Sequence, residues 1–546
     1  MRCPGVGSLL LFAFSGIALA APPPKPTLVV TIVVDQYSAD LFSEYRSLYK
    51  DGLATLAKGA VFPSGFQSHS GTETCPGHST ILTGMRPGKT GIIANDWQDV
   101  AHPTPNGTYS RYCIEEVNAQ GVRVVSPKPL LVPTLGQRLH AVDPNSRTVA
   151  IAGKDRAAMT LSGGKDAYLT LWWTGTKGPQ GVARFTTYAD AKVDPAMLGR
   201  IDAINAQMQS AYQTTQTPRL PQQCESRTRP VQVGKLTVGE LHEVPAGQTG
   251  RWRGMETLDR FTLKMAVAAI DTLRLGKSGA VDVLAVSFSA TDYVGHYYGT
   301  EGPEMCAQQI ALDKTIQELL SHLDETGVSY VVALTADHGG LDIPERNTSR
   351  GVPGAQRIDP KLFPENLGKT VADELGLKEP VLLGGKLFAN DVYLAPAVRT
   401  KRDSVLKALR KHYESNDQVA HVFTRKEVLA AKPPTGSPDK WTLLERARAS
   451  FNAERSGDLV VFLKPYVTSY GEPQDLDADY ISSHGSPWDY DRRVPILFWW
   501  PGINGFEQPA AVETVDIAPT LADLIGLKVA PPEMDGRVLP LVQATR

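Results

Sequence analysis

The sequence lacks an excess of charge of either sign. Its 56 Lys and Arg residues are matched by 58 Asp and Glu residues, which leaves a formal net charge of −2 at neutral pH. Nucleic-acid-binding domains usually carry a marked excess of Lys and Arg clustered on one face. The composition therefore predicts no nucleic-acid-binding surface.

Long apolar segments are missing as well. A helix that crosses a bilayer needs about 20 consecutive apolar residues, and the N-terminal apolar stretch Leu9–Leu19 is shorter. It follows the positively charged Arg2 and ends in Ala18-Leu-Ala20, a small-x-small pattern typical of a cleavage site. The sequence therefore predicts a cleaved signal peptide over residues 1–20, no membrane span, and export to the periplasm or the medium. An uncleaved membrane anchor is the alternative.

Cysteine is scarce, with five in 546 residues, and Cys3 falls inside the predicted signal peptide. An even number of cysteines in an oxidising compartment predicts disulfides. Of the three possible pairings we predict the one that joins nearest neighbours in the sequence. A zinc site made of four thiolates is the alternative, but the spacings contain no Cys-x2-Cys element. The predicted pairs are Cys75–Cys113 and Cys224–Cys306.

The sequence does contain a series of short, β-branched apolar runs, which are typical of buried strands. They alternate with helical patterns such as Leu258–Leu275 and Ala307–Leu323. This alternation predicts an α/β fold with a mostly parallel central sheet and helices on both faces. The apolar runs are Thr27–Val34, Arg147–Ala152, Val281–Phe288, Tyr330–Thr335, Leu459–Leu463 and Val494–Trp499.

Three polar, weakly periodic segments interrupt this pattern, near residues 100–145, 157–255 and 341–395. Pro, Gln, Gly and Thr are common in them. We interpret them as insertions, or a cap over the functional face, within one catalytic domain that spans residues 21–546.

Carboxylates and imidazoles cluster at the predicted strand ends, where open α/β sheets place functional residues. An Asp-x3-His pair on one helical turn would share a face and could bind one metal ion. An isolated Asp-His at a strand end is more often a cap, but the set together predicts a two-metal site. Carboxylates mixed with imidazoles, without thiolates, suit catalytic Zn²⁺. The candidate ligands are Asp35, Asp292, His296, Asp337, His338 and His484.

Thr74 is the candidate nucleophile. It opens the segment Thr-Cys-Pro-Gly-His (74–78), in which Thr74 is a good N-cap residue and Pro76 suits the first turn of the following helix. A hydroxyl there faces the positive end of the helix, where a phosphate dianion is favoured. The alternative is that Thr74 only caps the helix.

These motifs together resemble the signature of the alkaline phosphatase superfamily, and especially its single-chain, secreted enzymes with a threonine nucleophile. The opening Val33-Val-Asp-Gln and the closing Val515–Leu521 also match, so the resemblance covers residues 27 to 527. It implies the three-layer sandwich of that superfamily and two Zn²⁺ ions per chain. One ion would be held by Asp292, His296 and His484, and the other by Asp35, Asp337 and His338 together with Thr74.

The resemblance also implies that three residues bind the phosphoryl group. Asn95 would contact one phosphoryl oxygen, and Lys154 and Arg156 would contact non-bridging oxygens. Without the resemblance, a solvated loop would be the ordinary interpretation of Lys154 and Arg156. A monoester dianion carries more charge than a diester, so two added cations favour the monoester.

The expected function is that of a secreted alkaline phosphatase, which hydrolyses small phosphate monoesters through a covalent phosphothreonine. One alternative is a phosphodiesterase or nucleotide pyrophosphatase of the same superfamily, in which Lys154 and Arg156 have no role. Another is a non-catalytic zinc- or phosphate-binding periplasmic protein. A sulfatase is disfavoured because Pro76 follows Cys75 directly, whereas the sulfatase motif is Cys-x-Pro-x-Arg. The sequence places no accessory calcium ion, and it leaves the natural substrate and the oligomeric state open.

Overall fold

The computed structural model describes residues 25–541, apart from residues 105, 119–120, 165, 179, 476–478 and 531. The predicted signal peptide, residues 1–20, lies outside the described residues. Among the helices that the structure describes, none is long and apolar enough to cross a membrane.

A ten-stranded sheet forms the centre of the molecule. Across the sheet the strands follow the order β9-β2-β8-β7-β1-β6-β3-β4-β5, and β10 also pairs with β2. The strands are β1 (Leu28–Val34), β2 (Ala60–Phe66), β3 (Thr148–Ala152), β4 (Leu169–Gly175), β5 (Ala183–Thr186), β6 (Asp282–Phe288), β7 (Tyr330–Thr335), β8 (Arg493–Trp499), β9 (Phe506–Glu507) and β10 (Val512–Glu513). The central strands β7, β1, β6, β3 and β4 run parallel, whereas β8 and β5 run antiparallel to their neighbours. The prediction of a mostly parallel α/β sheet is confirmed.

Helices cover both faces of the sheet because its central strand is apolar on both sides. Leu28, Val30 and Ile32 of β1 point into one core cluster, while Val29 and Val33 point into another. Parallel sheets buried on both faces require such continuous apolar strands. The described helices are α1 (Ala39–Tyr45), α2 (Gly52–Leu56), α3 (Thr74–Ile81), α4 (Pro87–Thr90), α5 (Leu135–Val142), α6 (Asp155–Ser162), α7 (Pro195–Tyr212), α8 (Thr249–Arg253), α9 (Glu256–Leu273), α10 (Ala290–Tyr298), α11 (Pro303–Thr326), α12 (Pro344–Ser349), α13 (Pro364–Leu375), α14 (Arg402–Glu414), α15 (Arg425–Ala430), α16 (Leu443–Ser450), α17 (Asp489–Arg492) and α18 (Ile517–Ile525).

Different helices cover the two faces of the central sheet. Side chains of α7, α9 and α11 belong to the first core cluster, and side chains of α3, α5 and α18 belong to the second. The result is the predicted three-layer arrangement of helices, sheet and helices.

Five of the six predicted strands lie in the central sheet, with bounds that differ by at most one residue. The sixth, Leu459–Leu463, is a strand, but it pairs with Asp391–Val392 and Val419–Thr424 in a separate three-stranded sheet. The expectation that it belongs to the central sheet was therefore wrong. An apolar run shows that a strand is buried, but it does not show which sheet the strand joins.

The interpretation of the whole segment 157–255 as an insertion was wrong, because β4 and β5 lie within it and extend the central sheet. β5 is an edge strand with alternating buried and exposed residues, so it lacks the continuous apolar run that marks a central strand. Further two-stranded sheets lie outside the main one. They pair Asp96–Gln98 with Ser110–Tyr112, Glu115–Val117 with Arg123–Val125, Val231–Val233 with Leu236–Val238, and Gln356–Arg357 with Val467–Thr468.

Both predicted disulfides are present. Cys75 in α3 is bonded to Cys113, and Cys224 is bonded to Cys306 in α11. The pairing of nearest neighbours is confirmed, and the alternative of a four-thiolate zinc site is wrong because all four sulfurs are in disulfides. Two structural disulfides fit a protein that is exported to an oxidising compartment.

Gly77 allows α3 to approach the loop that follows β7. A Cβ atom at this position would lie 2.0 Å from the main-chain oxygen of Asp337, far inside van der Waals contact. A side chain at Gly77 would therefore push α3 away from the end of β7. Gly199 in α7 is the opposite case, since nothing lies within 4 Å of its Cβ position.

We expect Gly77→Ala to destabilise the protein by about 1–3 kcal/mol, because an added methyl group overpacks a tight contact. The matched variant Gly199→Ala should stabilise it by about 0.5–1 kcal/mol, because Ala restricts the unfolded chain and suits a helix. Urea unfolding of both variants measures the difference. Equal stabilities would contradict the close approach of α3 to Asp337.

Candidate active site

The predicted ligands meet at one edge of the sheet because three neighbouring parallel strands end there. Asp35 follows β1 directly, Asp337 follows β7, and Asp292 lies in the first turn of α10, which follows β6. These strands are adjacent in the order β7-β1-β6. The side chains of all three carboxylates are buried.

The first candidate metal group consists of Asp35, Asp337 and His338. The Nε2 atom of His338 lies 3.5 Å from Asp35 Oδ1 and 3.3 Å from Asp337 Oδ2. Within the described part of the chain, neither His338 Nε2 nor Asp35 Oδ1 has a hydrogen-bond partner. Buried polar atoms are rarely left unpaired, so these atoms fit a position where a cation would lie between them.

The second candidate group consists of Asp292, His296 and His484. Asp292 and His296 share a face of α10, as the sequence predicts, with His296 Nε2 3.4 Å from Asp292 Oδ1. His484 reaches the same oxygen from a loop, at 3.5 Å from its Nε2. The rings of His338 and His484 stack with their centroids 3.6 Å apart, so the two groups are in contact.

The three imidazoles are oriented as metal ligands usually are. Each donates its Nδ1–H to a main-chain carbonyl at 2.8–2.9 Å, which leaves the lone pair of Nε2 directed into the site. Burial lowers the pKa of His296 to about 4 and of His484 to about 3, so both rings are neutral near pH 7. The carbonyl acceptors belong to Ser482, Gly339 and Thr72, for His296, His338 and His484 in turn.

Grouping by distance alone would include His78 and leave out His296. Asp35, His78 and Asp337 have ligand atoms within 4.8 Å of one another, as do Asp292, His338 and His484. His78, however, has both ring nitrogens engaged: Nδ1 with the carbonyl of Thr74 and Nε2 with a serine hydroxyl, each at 2.9 Å. Its Nδ1 also lies 3.0 Å from Asp337 Oδ2, so we assign His78 to the support of Asp337 and retain His338 as the ligand.

Thr74 is the first residue of α3, and the N-cap position belongs to Glu73. The prediction that Thr74 caps the helix was wrong by one position. The physical reason is that the side-chain oxygen of Asn95 accepts the main-chain N–H of Cys75, at 2.9 Å. The hydroxyl of Thr74 is thereby left for other contacts.

Two cations meet at that hydroxyl. Lys154 Nζ and an Arg156 guanidinium nitrogen each lie 3.4 Å from Thr74 Oγ1. Lys154 is the N-cap of α6, two residues beyond the end of β3, and Arg156 is in the first turn of the helix. Two cations converging on one buried hydroxyl form a site suited to an oxyanion.

Lys154 also neutralises the buried carboxylates. Its Nζ lies 2.5 Å from Asp292 Oδ2 and 2.8 Å from Asp35 Oδ2. Burial disfavours its charge, but the two carboxylates outweigh burial and raise the pKa of Lys154 above its usual value. The same environment shifts the pKa values of Asp35 and Asp292 in opposite directions. Burial and the charge of Asp337 raise the pKa of Asp35, whereas nearby imidazoles and Lys154 overcome burial and lower the pKa of Asp292.

Glu73 and Tyr112 are residues of the site that the sequence did not indicate. Glu73 accepts the main-chain N–H of Asn95 at 2.6 Å, and burial raises the pKa of Glu73 to about 7. The hydroxyl of Tyr112 accepts a hydrogen bond from Arg156 at 3.2 Å and donates one to Asp155 at 2.7 Å. Both contacts depend on residues remote in sequence, so no local pattern reveals them.

The site opens into a cavity of about 450 Å³, a size typical of small-molecule sites. One wall is aromatic: the ring of Tyr480 stacks on His296 with centroids 4.1 Å apart, and Tyr470 lies beside it. Leu387 and Phe388 line the cavity as well. The cavity can therefore receive the part of a ligand that extends beyond the two cations.

The chain belongs to the type I phosphodiesterase / nucleotide pyrophosphatase family, whose model matches residues 29–487. The alkaline phosphatase PhoK of a Sphingomonas species is 45% identical over 540 residues, covering 96% of this chain and 92% of that protein. The alkaline phosphatase PhoD of Zymomonas mobilis is 42% identical over 525 residues, covering 94% and 88%. The crystal structure of alkaline phosphatase PafA has the same fold, with a TM-score of 0.79 at 24% identity and coverage of 94% and 98%.

The Cys75–Cys113 disulfide joins the parts of the site that surround the Thr74 hydroxyl. Cys75 follows Thr74, Cys113 follows Tyr112, and the main-chain N–H of Cys113 donates to the carbonyl of Asn95 at 2.9 Å. The Cys224–Cys306 disulfide involves none of these residues and joins the start of α11 to the short 3₁₀ helix Gln222–Arg227.

We therefore expect Cys75→Ser with Cys113→Ser to weaken the binding of inorganic phosphate by about tenfold or more, because small displacements of binding groups are costly. The control pair, Cys224→Ser with Cys306→Ser, should leave phosphate affinity near that of the wild type. Each loss should lower the free energy of unfolding by about 2–5 kcal/mol. Calorimetric phosphate titration and urea unfolding separate the two effects, and equal affinities would contradict the first.

Proposed function

We propose that this protein is an exported alkaline phosphatase that hydrolyses small phosphate monoesters. The observation that carries the proposal is the convergence of Lys154 and Arg156 on the buried Thr74 hydroxyl, each at 3.4 Å. A dianionic phosphoryl group placed at Thr74 would meet both cations. The two bacterial relatives above 40% identity, both named alkaline phosphatases, support the same function.

The metal ions of the proposal are two Zn²⁺. Asp292, His296 and His484 would hold one, and Asp35, Asp337 and His338 would hold the other together with Thr74. Neutral imidazoles with inward lone pairs and unpaired carboxylate oxygens suit zinc better than magnesium, which prefers oxygen ligands alone. When bound, the two ions would stabilise negative charge on the attacking and leaving oxygens.

Thr74 would act as the nucleophile. Its oxygen loses the hydroxyl proton and forms a bond to phosphorus as the bond from phosphorus to the alcohol oxygen breaks. The departing oxygen takes up a proton, which gives a phosphothreonine and the free alcohol. Water then attacks phosphorus, restores the Thr74 hydroxyl and releases inorganic phosphate. Each step exchanges one oxygen–phosphorus bond for another, so no oxidant or further reactant is needed.

The other residues would hold the phosphoryl group. The carbonyl oxygen of the Asn95 amide is occupied by Cys75 N–H, so its NH₂ group is available to donate to a phosphoryl oxygen. Lys154 and Arg156 would bind the remaining non-bridging oxygens. Because Tyr112 contacts Arg156 and lies beside Cys113, the disulfide would keep the guanidinium in place.

A phosphodiesterase is the second candidate, since the matching family is described by diesterase and pyrophosphatase activities. A diester has one negative charge and two terminal oxygens, whereas a monoester dianion has two charges and three terminal oxygens, so a diester would not need both cations. The place of Lys154 and Arg156 at Thr74 favours the monoester. For export, the two disulfides and the predicted signal peptide over residues 1–20 support the periplasm or the medium.

We expect Thr74→Ala to lower kcat by several orders of magnitude and to abolish phosphorylation of the protein, because the nucleophile is lost. About two zinc ions per chain should remain. The matched variant Thr80→Ala removes another buried hydroxyl of α3, bonded to Gln67 and the carbonyl of Gly77, and should keep the phosphorylated intermediate. Mass spectrometry of acid-quenched protein checks both, and a phosphoryl group on another residue would refute the assignment.

The double variant Lys154→Ala with Arg156→Ala should lower kcat/KM for an aryl phosphate monoester by about two orders of magnitude or more. Charge-assisted hydrogen bonds contribute about 1.5–3 kcal/mol each, and 1.36 kcal/mol corresponds to tenfold in rate. Hydrolysis of the matching methyl diester should fall far less. Steady-state kinetics on both substrates give the comparison, with zinc content measured alongside.

Arg253→Ala is the matched control for this double variant. Arg253 is a partly buried guanidinium that packs on the ring of Tyr293, 4.3 Å from its centroid, without contacting Thr74. Its removal should affect both substrates equally and only slightly. If the double variant also lost monoester and diester activity equally, the two cations would be structural and the diesterase would become the better function.

A further inference from the structure

We propose that Gln36 is a positioning residue that fixes the two candidate metal groups relative to each other. It follows Asp35 and is buried, with 2% of its surface exposed. The inference rests on the proposed two-metal function, because it concerns how the chain holds the ligands of both ions. The backbone and the side chain of Gln36 each contact one of the two groups, and two glycines pack against the side chain.

The backbone of Gln36 has the left-handed conformation, with φ of +63°. Only three residues other than glycine have positive φ in the described part of the chain. Such a conformation is unfavourable for residues with a Cβ atom and persists where the surroundings impose it. Here it directs the main-chain N–H of Gln36 to Asp337 Oδ1, at 3.1 Å. The backbone therefore holds a carboxylate of the first metal group.

The side chain of Gln36 reaches the other metal group. Its Nε2 donates to Asp292 Oδ1, at 3.1 Å. This is the same oxygen that faces the Nε2 atoms of His296 and His484. A ligating carboxylate is commonly oriented by such an outer hydrogen bond. One residue thus donates to a carboxylate in each group.

The Gln36 side chain leaves no room for a Cβ atom at two glycine positions in the ligand motifs. A Cβ atom at Gly295 would lie 1.6 Å from Gln36 Oε1, and a Cβ atom at Gly340 would lie 2.8 Å from its Cδ. Gly295 stands beside the ligand His296 in α10, and Gly340 follows the Asp337-His338 pair by two residues. The Gln36 amide therefore occupies a narrow space between α10 and the loop after β7. The glycines in both motifs leave room for it.

A purely structural role would have a different signature from a positioning role. If Gln36 only filled space, its replacement would lower the free energy of unfolding without a selective effect on either metal ion. If it orients Asp292, its replacement should weaken the ion held by Asp292, His296 and His484. The ion held by Asp35, Asp337 and His338 should be affected less, because the main-chain N–H to Asp337 remains in any side-chain variant.

The test is Gln36→Met, which keeps the length of the side chain and removes the amide. Zinc is titrated against a chromophoric chelator at equilibrium, and the variant His484→Ala identifies the transition of the group that contains Asp292. We expect the affinity for that zinc ion to fall by about 10–100-fold, while the other ion stays near its wild-type affinity. Gln36→Gly removes the whole side chain and suits the positive φ of the backbone. It should show the same selective loss of zinc affinity, and it replaces the methionine variant as the test if that variant does not fold.

Gln209→Met is the matched control. The Gln209 amide also bridges two groups, accepting from Ala183 N at 2.7 Å and donating to the carbonyl of Gly181 at 2.8 Å, but it lies on α7 away from the site. It should lose thermal stability with both zinc affinities unchanged. Wild-type zinc affinities in Gln36→Met, or an equal loss at both sites, would overturn the proposal.

The chelator titration needs no substrate, so it separates this proposal from the proposed function. If the wild-type protein bound two zinc ions but hydrolysed no monoester, the proposed phosphatase function would be refuted. The zinc titration would still test the positioning role of Gln36. A wild-type protein that binds no zinc would overturn both.

Discussion

The burial of three carboxylates at the ends of adjacent strands is the constraint on which the rest of the site depends. Asp35, Asp292 and Asp337 lie without solvent exposure at one edge of the sheet. Buried charges are unfavourable unless cations or hydrogen-bond donors compensate them. The chain supplies Lys154, His78 and the amide groups of Gln36. Oxygen and nitrogen atoms that remain unpaired, above all His338 Nε2, are where metal ions would complete the compensation.

The sheet positions the candidate metal ligands, whereas the contacts around the Thr74 hydroxyl come largely from other segments. Asn95 and Tyr112 belong to chain between α4 and α5 that does not join the central sheet. This segment is tied to α3 by the Cys75–Cys113 disulfide and by the bond from Cys75 N–H to Asn95. A covalent link compensates for the small core available to such a segment. The metal groups and the oxyanion site thus have separate structural supports that meet at Thr74.

The sequence predicted those parts of the molecule that local patterns determine. Continuous apolar runs identified β1, β3, β6, β7 and β8 but not β4. Carboxylates that lie within four residues of the ends of three of these runs identified Asp35, Asp292 and Asp337, because parallel strands end at a common edge. The local pattern could not assign Leu459–Leu463 to its separate sheet, because the strands with which it pairs are remote in the sequence. It could not identify the edge strand β5 either, because that strand has no continuous apolar run. The same limit applies to Glu73, Tyr112 and Gln36. Their roles follow from side-chain directions that only the folded chain defines. The assignment of catalytic and ligand roles to the predicted residues stays a prediction.

Membership of the family leaves the choice between monoester and diester open, because the metal groups serve the oxygens that both substrates share. The choice has to come from groups that act on the additional charge of a monoester. Lys154 is also the residue that neutralises Asp35 and Asp292 in this structure, so a phosphoryl group would compete with carboxylates for it. Metal ions would change that balance, since two divalent cations beside the carboxylates would reduce the demand on the ammonium group. Occupation of the metal groups would therefore release Lys154 toward Thr74, and monoester binding should depend on the ions indirectly through this lysine.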